Sequence, residues 1–246
     1  MYGLFPLHNV MRTLVHRLAR KNWFCRGYIW IRREFDTWLL AKLDQIIDAC
    51  LVDEPRTWRY VKKLVLEGRI SSILDVGAHI GGYSVVLGKR IFSVAVEPVP
   101  DTFTILKFNV IINKSNVKAL RRAVWKESNK TIRLKRSITH SAADFVSNDG
   151  DVEAQTVTIN DLWQSLGPFD LVKIDAEGSE DKILQGFSLD RISLPKRIYI
   201  VVEVRPKTMS FCLRWLKKNS FKVIFMERLV RSNRVMNLVA ERTSRV

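Results

Sequence analysis

The stretch SILDVGAHIGGYS, residues 72–84, decides the fold of this 246-residue chain. It begins as an apolar run of the kind that forms a buried strand, reaches an acid at Asp75, and continues into a turn rich in glycine. A strand followed by such a turn and a helix is typical of α/β proteins that bind a nucleotide-like ligand at the carboxyl edge of the sheet. In dinucleotide sites the turn reads G-x-G-x-x-G, and its middle glycine admits a pyrophosphate. Here His79 stands at that position, which predicts a ligand without phosphates.

A second acid, Glu97, ends the next predicted strand in VAVEP, residues 94–98. A carboxylate there can accept hydrogen bonds from both ribose hydroxyls of a bound nucleoside, although NAD-binding enzymes share this device. S-Adenosylmethionine has a ribose, an adenine and a charged amino-acid end but no phosphate, so it suits the altered turn better than NAD does. On this hypothesis Asp75 orients the amino-acid end, and backbone groups near Gly77 and Ala78 receive its carboxylate.

The rest of the chain after residue 70 alternates strand and helix, which predicts a parallel sheet covered by helices on both faces. The predicted strands are 71–76, 92–98, 117–124, 170–175 and 197–204. One predicted helix opens at Asp101 and another runs from Ser179 to near Gly186. The tail, residues 221–242, is typical of an antiparallel hairpin, and residues 125–160 are predicted to be an irregular insertion near the site.

The first part of the chain has a different pattern, which predicts helices from residue 8 to residue 68. Apolar residues recur at helical spacing in 8–20 and 34–50, and a third helix has Pro55 in its first turn and Gly68 as its cap. We therefore predict two parts, a basic helical segment over residues 1–69 and an α/β domain over residues 70–246.

The net charge of +16 is concentrated at the two ends of the chain. Residues 1–33 hold seven Lys or Arg and no acid, and residues 196–246 hold thirteen Lys or Arg and three acids. Such ends suit anionic partners, namely lipid headgroups, nucleic acid or phosphorylated substrates, or they form an ordinary solvated surface. The three cysteines are widely spaced, which indicates reduced thiols in the cytosol and argues against zinc.

Four motifs resemble the FkbM-type S-adenosylmethionine-dependent methyltransferases. They are ILDVGAHIGGYS (73–84), VAVEPVPDTFTILKFNVIIN (94–113), VTINDLW (157–163) and DLVKIDAEGSEDKILQGF (170–187). The resemblance covers roughly residues 70–205. It implies a Rossmann-like, seven-stranded α/β sheet with an antiparallel last strand, and O-methylation of a hydroxyl on a sugar, glycolipid or small metabolite. The first 69 residues carry no motif of the family.

Methyl transfer is an in-line displacement at a sulfonium carbon, so the enzyme must align an acceptor oxygen and accept its proton. We expect Asp175 or Glu177, on the turn after the fourth strand, to do this. Glu203 is the next candidate, with an ion pair to Arg205 or Lys173 as the alternative. The alternatives are that Asp175 and Glu177 hold a divalent cation or that Asp175 only positions the donor; no metal site is assigned. The predicted donor-binding residues are Asp75, Gly77, Ala78, His79, Gly81, Glu97, Pro98, Ala123 and Asp175.

Several other side chains have more than one interpretation. His79 is expected to line the cofactor loop, and His140, in the insertion, to face the substrate; either can act as a base near neutral pH. For Asn109 and Asn113 a helix-end role is favoured over contact with the site. The tryptophans, Trp38 and Trp58 among them, are expected in the core.

The expected partner is a hydroxyl-bearing small molecule or a glycolipid. The predicted helix at 8–20 has an apolar and a basic face, so it is either an anchor for an anionic membrane or a lid over the cofactor site. We expect a cytoplasmic protein, in the first case one that is peripheral to the membrane. Residues 73–113 also resemble tRNA guanine methyltransferases, but KIDAEG lacks the Asn/Asp-Pro-Pro of base-nitrogen methylases, so nucleic acid is less favoured. An inactive, basic membrane- or nucleic-acid-binding protein with this fold is the non-enzymatic alternative.

Overall fold

The computed structural model describes residues 27–51, 53–135, 145–147, 149–230, 232 and 234–243. Its strands are β1 (Tyr28–Arg33), β2 (Thr37–Lys42), β3 (Ser72–Val76), β4 (Phe92–Val96), β5 (Val117–Leu120), β6 (Ala123–Val124), β7 (Thr131–Lys135), β8 (Phe145–Val146), β9 (Val152–Val157), β10 (Leu171–Ile174), β11 (Arg197–Val204), β12 (Lys222–Arg228) and β13 (Met236–Thr243). Its α-helices are α1 (Ile46–Cys50), α2 (Pro55–Leu66), α3 (Ser84–Leu87), α4 (Pro100–Asn113), α5 (Ile159–Leu166), α6 (Glu180–Gln185) and α7 (Pro206–Lys218). Short 3-10 turns lie at Leu43–Gln45 and Leu189–Arg191.

Seven of the strands form one sheet in the order β12-β13-β11-β10-β3-β4-β5. Every strand runs parallel to the others except β13, which lies antiparallel between β11 and β12. The predicted seven-stranded sheet with an antiparallel last strand is therefore confirmed. In the central pairing Asp75 lies opposite Lys173, so the side chains that follow these strands meet at one edge.

Both faces of this sheet are covered, which explains why its central strands are nearly continuous apolar runs. On one face Ile73 packs in a core that also contains Leu39 of β2 and Trp58 of α2. On the other face Leu74 packs against residues of α5, α6 and α7. Residues of the first 69 thus share a core with the sheet, and the boundary at residue 69/70 stays a prediction.

The segment before the sheet is partly helical, as predicted, and partly a β-hairpin. Helix α2 begins at Pro55 as expected. The helix predicted over residues 34–50 is confirmed only for Ile46–Cys50; its first part is wrong, because β1 and β2 pair antiparallel up to Lys42. Burial alternates along β2 as in a half-buried strand, since Leu39 and Ala41 are fully buried whereas Trp38, next to Leu39, is 44% exposed. Trp58 is in the core as expected, and Trp38 is not.

Two asparagines of α4 complete the hydrogen bonds of the hairpin. The Asn109 side chain accepts from Leu40 N at 2.8 Å and donates to Leu40 O at 3.1 Å, and Asn113 does the same with Trp38 at 2.8 and 2.7 Å. Asn113 also donates to the carbonyl of Asn109 in the last turn of α4, which is the predicted helix-end role. The outer edge of β2 is therefore paired by side chains rather than by a third strand.

The insertion contains a second sheet, in the order β6-β9-β7-β8, with a small apolar core that includes Leu134 and Val152. The single strand predicted over 117–124 is two strands, because β5 joins the large sheet and β6 joins the small one. Helices α5 and α7 were not predicted. Thr158 caps α5 by accepting a hydrogen bond from Asp161 N. His140 and the predicted helix at 8–20 lie outside the described residues, and no helix within the described ranges is long and apolar enough to cross a bilayer.

Candidate active site

The site lies at the carboxyl edge of the large sheet, where the turns after β3 and β10 touch. Gly77 has φ +74°, and a Cβ there would lie 1.8 Å from the carbonyl oxygen of Asp175. Only glycine allows this contact. The N–H groups of Gly77 and Ala78 both donate to the carbonyl of Val96 at 3.0 Å. They are engaged in the fold, so the carboxylate-binding role that the sequence suggested for them is not supported by the geometry.

Glu97 follows β4 and is held by the backbone on both oxygens. His79 N donates to Oε2 at 3.0 Å, and Val99 N donates to Oε1 at 2.9 Å. A carboxylate can accept about four hydrogen bonds, so these two fix its orientation without exhausting its acceptors. His79 reaches this position in a left-handed conformation, with φ +52°.

A cleft of about 840 Å³ opens beside Glu97 between the large sheet and the insertion. Of the predicted site residues, it is lined by Gly77, His79, Glu97, Pro98, Ala123, Asp175 and Glu177. Its other walls are mainly apolar and include Val99, Val124 and Ile183. This cleft is called the first pocket below.

A second pocket of about 490 Å³ adjoins the first and shares Gly77, His79 and Asp175 with it. Its remaining lining residues are Leu51, Asp53, Glu54, Asp75, Ala78, Gly82, Tyr83, Lys173, Glu203 and Leu229. Gly81, which was predicted to bind the donor, lines neither pocket. A Cβ on Gly81 would lie 2.2 Å from Val85 and 2.9 Å from Leu106, so this glycine allows close packing behind the turn.

Asp75 is 1% exposed and lies at the wall of the second pocket. Its Oδ2 accepts from Ser84 N at 3.1 Å, and its Oδ1 has no hydrogen-bond partner among the described residues. Burial raises the pKa of Asp75, and the charge of Lys173 partly offsets that effect. A buried acceptor atom without a donor is costly unless a ligand supplies the donor.

Lys173 is a buried cation that lies among the acids Asp75, Asp175 and Glu54. Its Nζ lies 2.9 Å from Asp175 Oδ2 and 4.9 Å from the ring centre of Tyr83. Burial opposes its charge, but Asp175, Glu54 and Asp75 together outweigh burial and raise the pKa of Lys173. Asp175, which lines both pockets and directly follows β10, is therefore held beside a positive charge.

Glu54 is a buried acid of the second pocket that the sequence did not reveal. Its Oε2 accepts from Tyr83 Oη at 2.9 Å and from Asn237 Nδ2 at 2.6 Å. Burial, reinforced by Asp175 and opposed by Lys173, raises the pKa of Glu54 to about 7. In the sequence Glu54 only precedes Pro55 at a helix start, and no local signal marks it as a site residue.

The three predicted catalytic acids lie together. One oxygen from each of Asp175, Glu177 and Glu203 lies within 4.8 Å of the others, a spacing compatible with a cation. The guanidinium of Arg205 contacts Glu177 Oε2 and lies 3.5 Å from Glu203 Oε1. The ion pair between Glu203 and Arg205, the alternative interpretation for Glu203, is thus present, and Arg205 places positive charge beside two of the three carboxylates.

Comparison with known proteins agrees with this geometry. The Methyltransferase FkbM domain matches residues 75–223, which is more than half of the chain. None of the curated proteins shows significant similarity to the sequence.

Two solved structures with this fold are RNA enzymes. They are Pyrococcus abyssi tRNA (uracil-54, C5)-methyltransferase in complex with S-adenosyl-L-homocysteine, at 16% identity and a TM-score of 0.51, and M. jannaschii tRNA m1G37 methyltransferase, at 14% and 0.50. Both alignments cover 89% of this chain, which spans 45% of the first enzyme and 58% of the second. At these identities the likeness establishes the fold alone. The family match, the confirmed sheet and the paired pockets at its carboxyl edge together show that the chain belongs to the FkbM methyltransferase domain family.

Proposed function

We propose that this protein is an S-adenosylmethionine-dependent O-methyltransferase acting on a hydroxyl of a sugar, glycolipid or small metabolite. The observation that carries the proposal is the continuous groove formed by the two pockets, which meet at Gly77 and Asp175. The first pocket holds the oriented carboxylate of Glu97 among apolar walls, and the second pocket holds buried acids around Lys173. This arrangement matches a ligand with a nucleoside at one end and an amino acid at the other.

The first pocket suits the nucleoside end of the donor. Glu97 is fixed so that its carboxylate can accept from two ribose hydroxyls. Pro98 and Ala123 supply apolar surface for the adenine, beside the apolar wall described above. The N–H groups of Gly77 and Ala78 do not offer hydrogen bonds to a pyrophosphate, because both donate to the carbonyl oxygen of Val96.

The second pocket suits the amino-acid end. Asp75 Oδ1, buried and without a donor in the described chain, is placed to accept from an ammonium group. That contact would remove the cost of an unsatisfied buried acceptor. The bound donor supplies a methyl group on a sulfonium, which is already activated for displacement.

The residues of the chain must then align the acceptor and take its proton. We assign alignment of the acceptor hydroxyl to Asp175, because it lines both pockets and Lys173 holds it in place. Glu54 is a proton acceptor suited to neutral pH, since its pKa is about 7. Glu177 and Glu203, both bonded to Arg205, are assigned to shaping the acceptor side of the groove.

Turnover and donor binding measured on the same variants test this assignment. Asp175→Asn is expected to lower turnover by about 10²–10⁴-fold while donor affinity changes much less. Glu177→Gln, at the other candidate on the same turn, is measured alongside, and its turnover is expected to fall much less than that of Asp175→Asn. If donor affinity and turnover of Asp175→Asn fall equally, Asp175 is only a donor ligand and its role at the acceptor is wrong. EDTA in the same assay tests the three-carboxylate cluster, and we expect little change.

RNA methylation is the alternative acceptor class, favoured only by the positive charge of the chain. Arg122 and Trp125 line the first pocket and give its mouth a basic and aromatic character. A gel shift with tRNA over a range of salt concentrations distinguishes the two classes. Tight, salt-sensitive binding favours RNA, and labelled methyl groups appearing in a lipid or sugar fraction of a lysate favour the proposed hydroxyl acceptor.

A further inference from the structure

An exposed apolar surface lies on the hairpin and on the adjoining half of α4, away from the two pockets. It consists of Tyr28, Trp30, Trp38, Phe108, Ile111 and Ile112, and we call it the hairpin patch. These are six of the twelve large apolar side chains that are exposed among the described residues. Exposed apolar side chains that occur singly are ordinary, whereas this concentration on one surface indicates a contact with something apolar.

The strand register explains why the patch is continuous. Trp30 lies opposite Leu40, and Arg32 lies opposite Trp38, so these four side chains share the outward face of the hairpin. The ring of Trp30 lies 6.0 Å from that of Phe108, which joins the hairpin to α4. The asparagine bonds to β2 hold the two elements at a fixed distance.

The charges around the patch are mostly positive. The outward face of the hairpin carries Arg32 and Lys42, and α4 and its C-cap carry the exposed Lys107 and Lys114. From residue 102 to residue 126 the sequence has six Lys or Arg and no acid. Asp36, at the hairpin turn, is ion-paired with Arg32 at 3.4 Å.

The residue types and the neighbouring sequence point to a lipid surface. Trp and Tyr are the side chains enriched at the interface between a bilayer and water, and nearby cations add attraction to anionic headgroups. Residues 1–26, which lead directly into β1, contain five Lys or Arg and no acid. The sequence immediately before β1 is therefore basic, as are the exposed side chains of Lys107 and Lys114 on α4 and its C-cap.

We propose that the hairpin patch is a membrane-binding surface that inserts its aromatic and aliphatic side chains into the interfacial region of a bilayer containing anionic lipid. The proposal does not rest on methyl transfer, because the patch contains none of the groups that line the two pockets. Binding through this patch would bring the protein close to any acceptor that a membrane lipid carries.

Sedimentation of the full-length protein with vesicles tests this proposal. The vesicles contain phosphatidylcholine alone or phosphatidylcholine with phosphatidylglycerol. The patch variant is Trp30→Ser/Ile111→Ser, whose side chains are 45% and 70% exposed. The control is Leu66→Ser/Met226→Ser, at 62% and 50%; Met226 belongs to β12, at the opposite edge of the large sheet from β5. Ile111→Ser alone is included because the most exposed position is the least able to disturb the fold.

We expect the wild-type protein to bind the anionic vesicles and the patch variant to bind about 10- to 100-fold more weakly. Ile111→Ser is expected to lie between them, and the control to change binding by less than about twofold. Equal binding by the patch variant and the control overturns the proposal, and so does failure of the wild-type protein to bind anionic vesicles. Light scattering tests whether the patch instead binds a second copy of the chain. If the wild-type protein is a dimer, the patch variant is a monomer and vesicle binding is unchanged, the patch is a dimer interface and the proposal is wrong.

Discussion

Replacing Glu54 by Gln should change how the stability of the protein depends on pH. The pKa of Glu54 is about 7 in the folded chain, against a usual value of 4.5 that applies when the chain unfolds. Between these two pH values the folded state holds a proton that the unfolded state has lost. The free energy of unfolding therefore decreases as the pH rises from about 4.5 to about 7, and the full cost is present above pH 7.

The size of the effect follows from the difference in pKa. One pKa unit corresponds to about 1.4 kcal/mol, so the shift of Glu54 corresponds to about 3 kcal/mol. Gln has the shape of the protonated acid and can still accept from Tyr83 and Asn237, but it never becomes charged. Relative to its value at low pH, the stability advantage of Glu54→Gln over the wild-type protein should be less than about 1 kcal/mol at pH 5 and about 3 kcal/mol at pH 8.

Urea denaturation at several pH values between 5 and 8, followed by far-UV circular dichroism, measures this difference. Glu127→Gln is the matched control, because Glu127 is exposed and its carboxylate lies 3.4 Å from the ammonium group of its neighbour Lys126. The control should differ from the wild-type protein by less than about 0.5 kcal/mol at every pH. A constant difference between Glu54→Gln and the wild-type protein across this range would refute the reasoning, since Glu54 would then titrate alike in both states.

Two further predictions concern residues that fix the geometry of the site. Gly77→Ala should destabilise the protein by about 3 kcal/mol or more and abolish donor binding, because its Cβ would lie 1.8 Å from the Asp175 carbonyl oxygen. The control is Gly68→Ala, where φ is +66° but the space around the Cβ is open; thermal or urea unfolding should show a loss of only about 1 kcal/mol. Asn109→Leu should cost about 2–4 kcal/mol in the same measurement, because it leaves Leu40 N and O without their partner, whereas Asn116→Ala at an exposed position should be nearly neutral. Equal losses of stability in Gly77→Ala and Gly68→Ala would contradict the first prediction, and equal losses in Asn109→Leu and Asn116→Ala would contradict the second.

The sheet could be predicted from the sequence because its central strands are buried on both faces. The apolar side chains of β3 and β10 are all buried, and the glycine turn and the acid at Glu97 identify the edge where a ligand binds. These signals are local, and they follow directly from burial and from backbone conformation.

The hairpin and Glu54 could not be predicted in this way, because they depend on contacts between distant parts of the chain. The apolar residues of β2 fit a helical spacing as well as an alternating one, and the choice is made by Asn109 and Asn113, about 70 positions away. Glu54 becomes a site residue only because α2 packs beside Tyr83 and Asn237. Gly81 belongs to the motif shared with the family, but its lack of a side chain allows close packing behind the turn. The motif alone does not distinguish this role from ligand binding.

Calorimetric titration of the full-length protein with S-adenosylmethionine and with NAD tests the central claim most directly. The account predicts that S-adenosylmethionine binds and NAD does not, and that Glu97→Ala weakens S-adenosylmethionine binding by about 1.5–3 kcal/mol through loss of the charged hydrogen bonds to the ribose. Binding of NAD with equal strength, or undiminished binding of S-adenosylmethionine by Glu97→Ala, would contradict it.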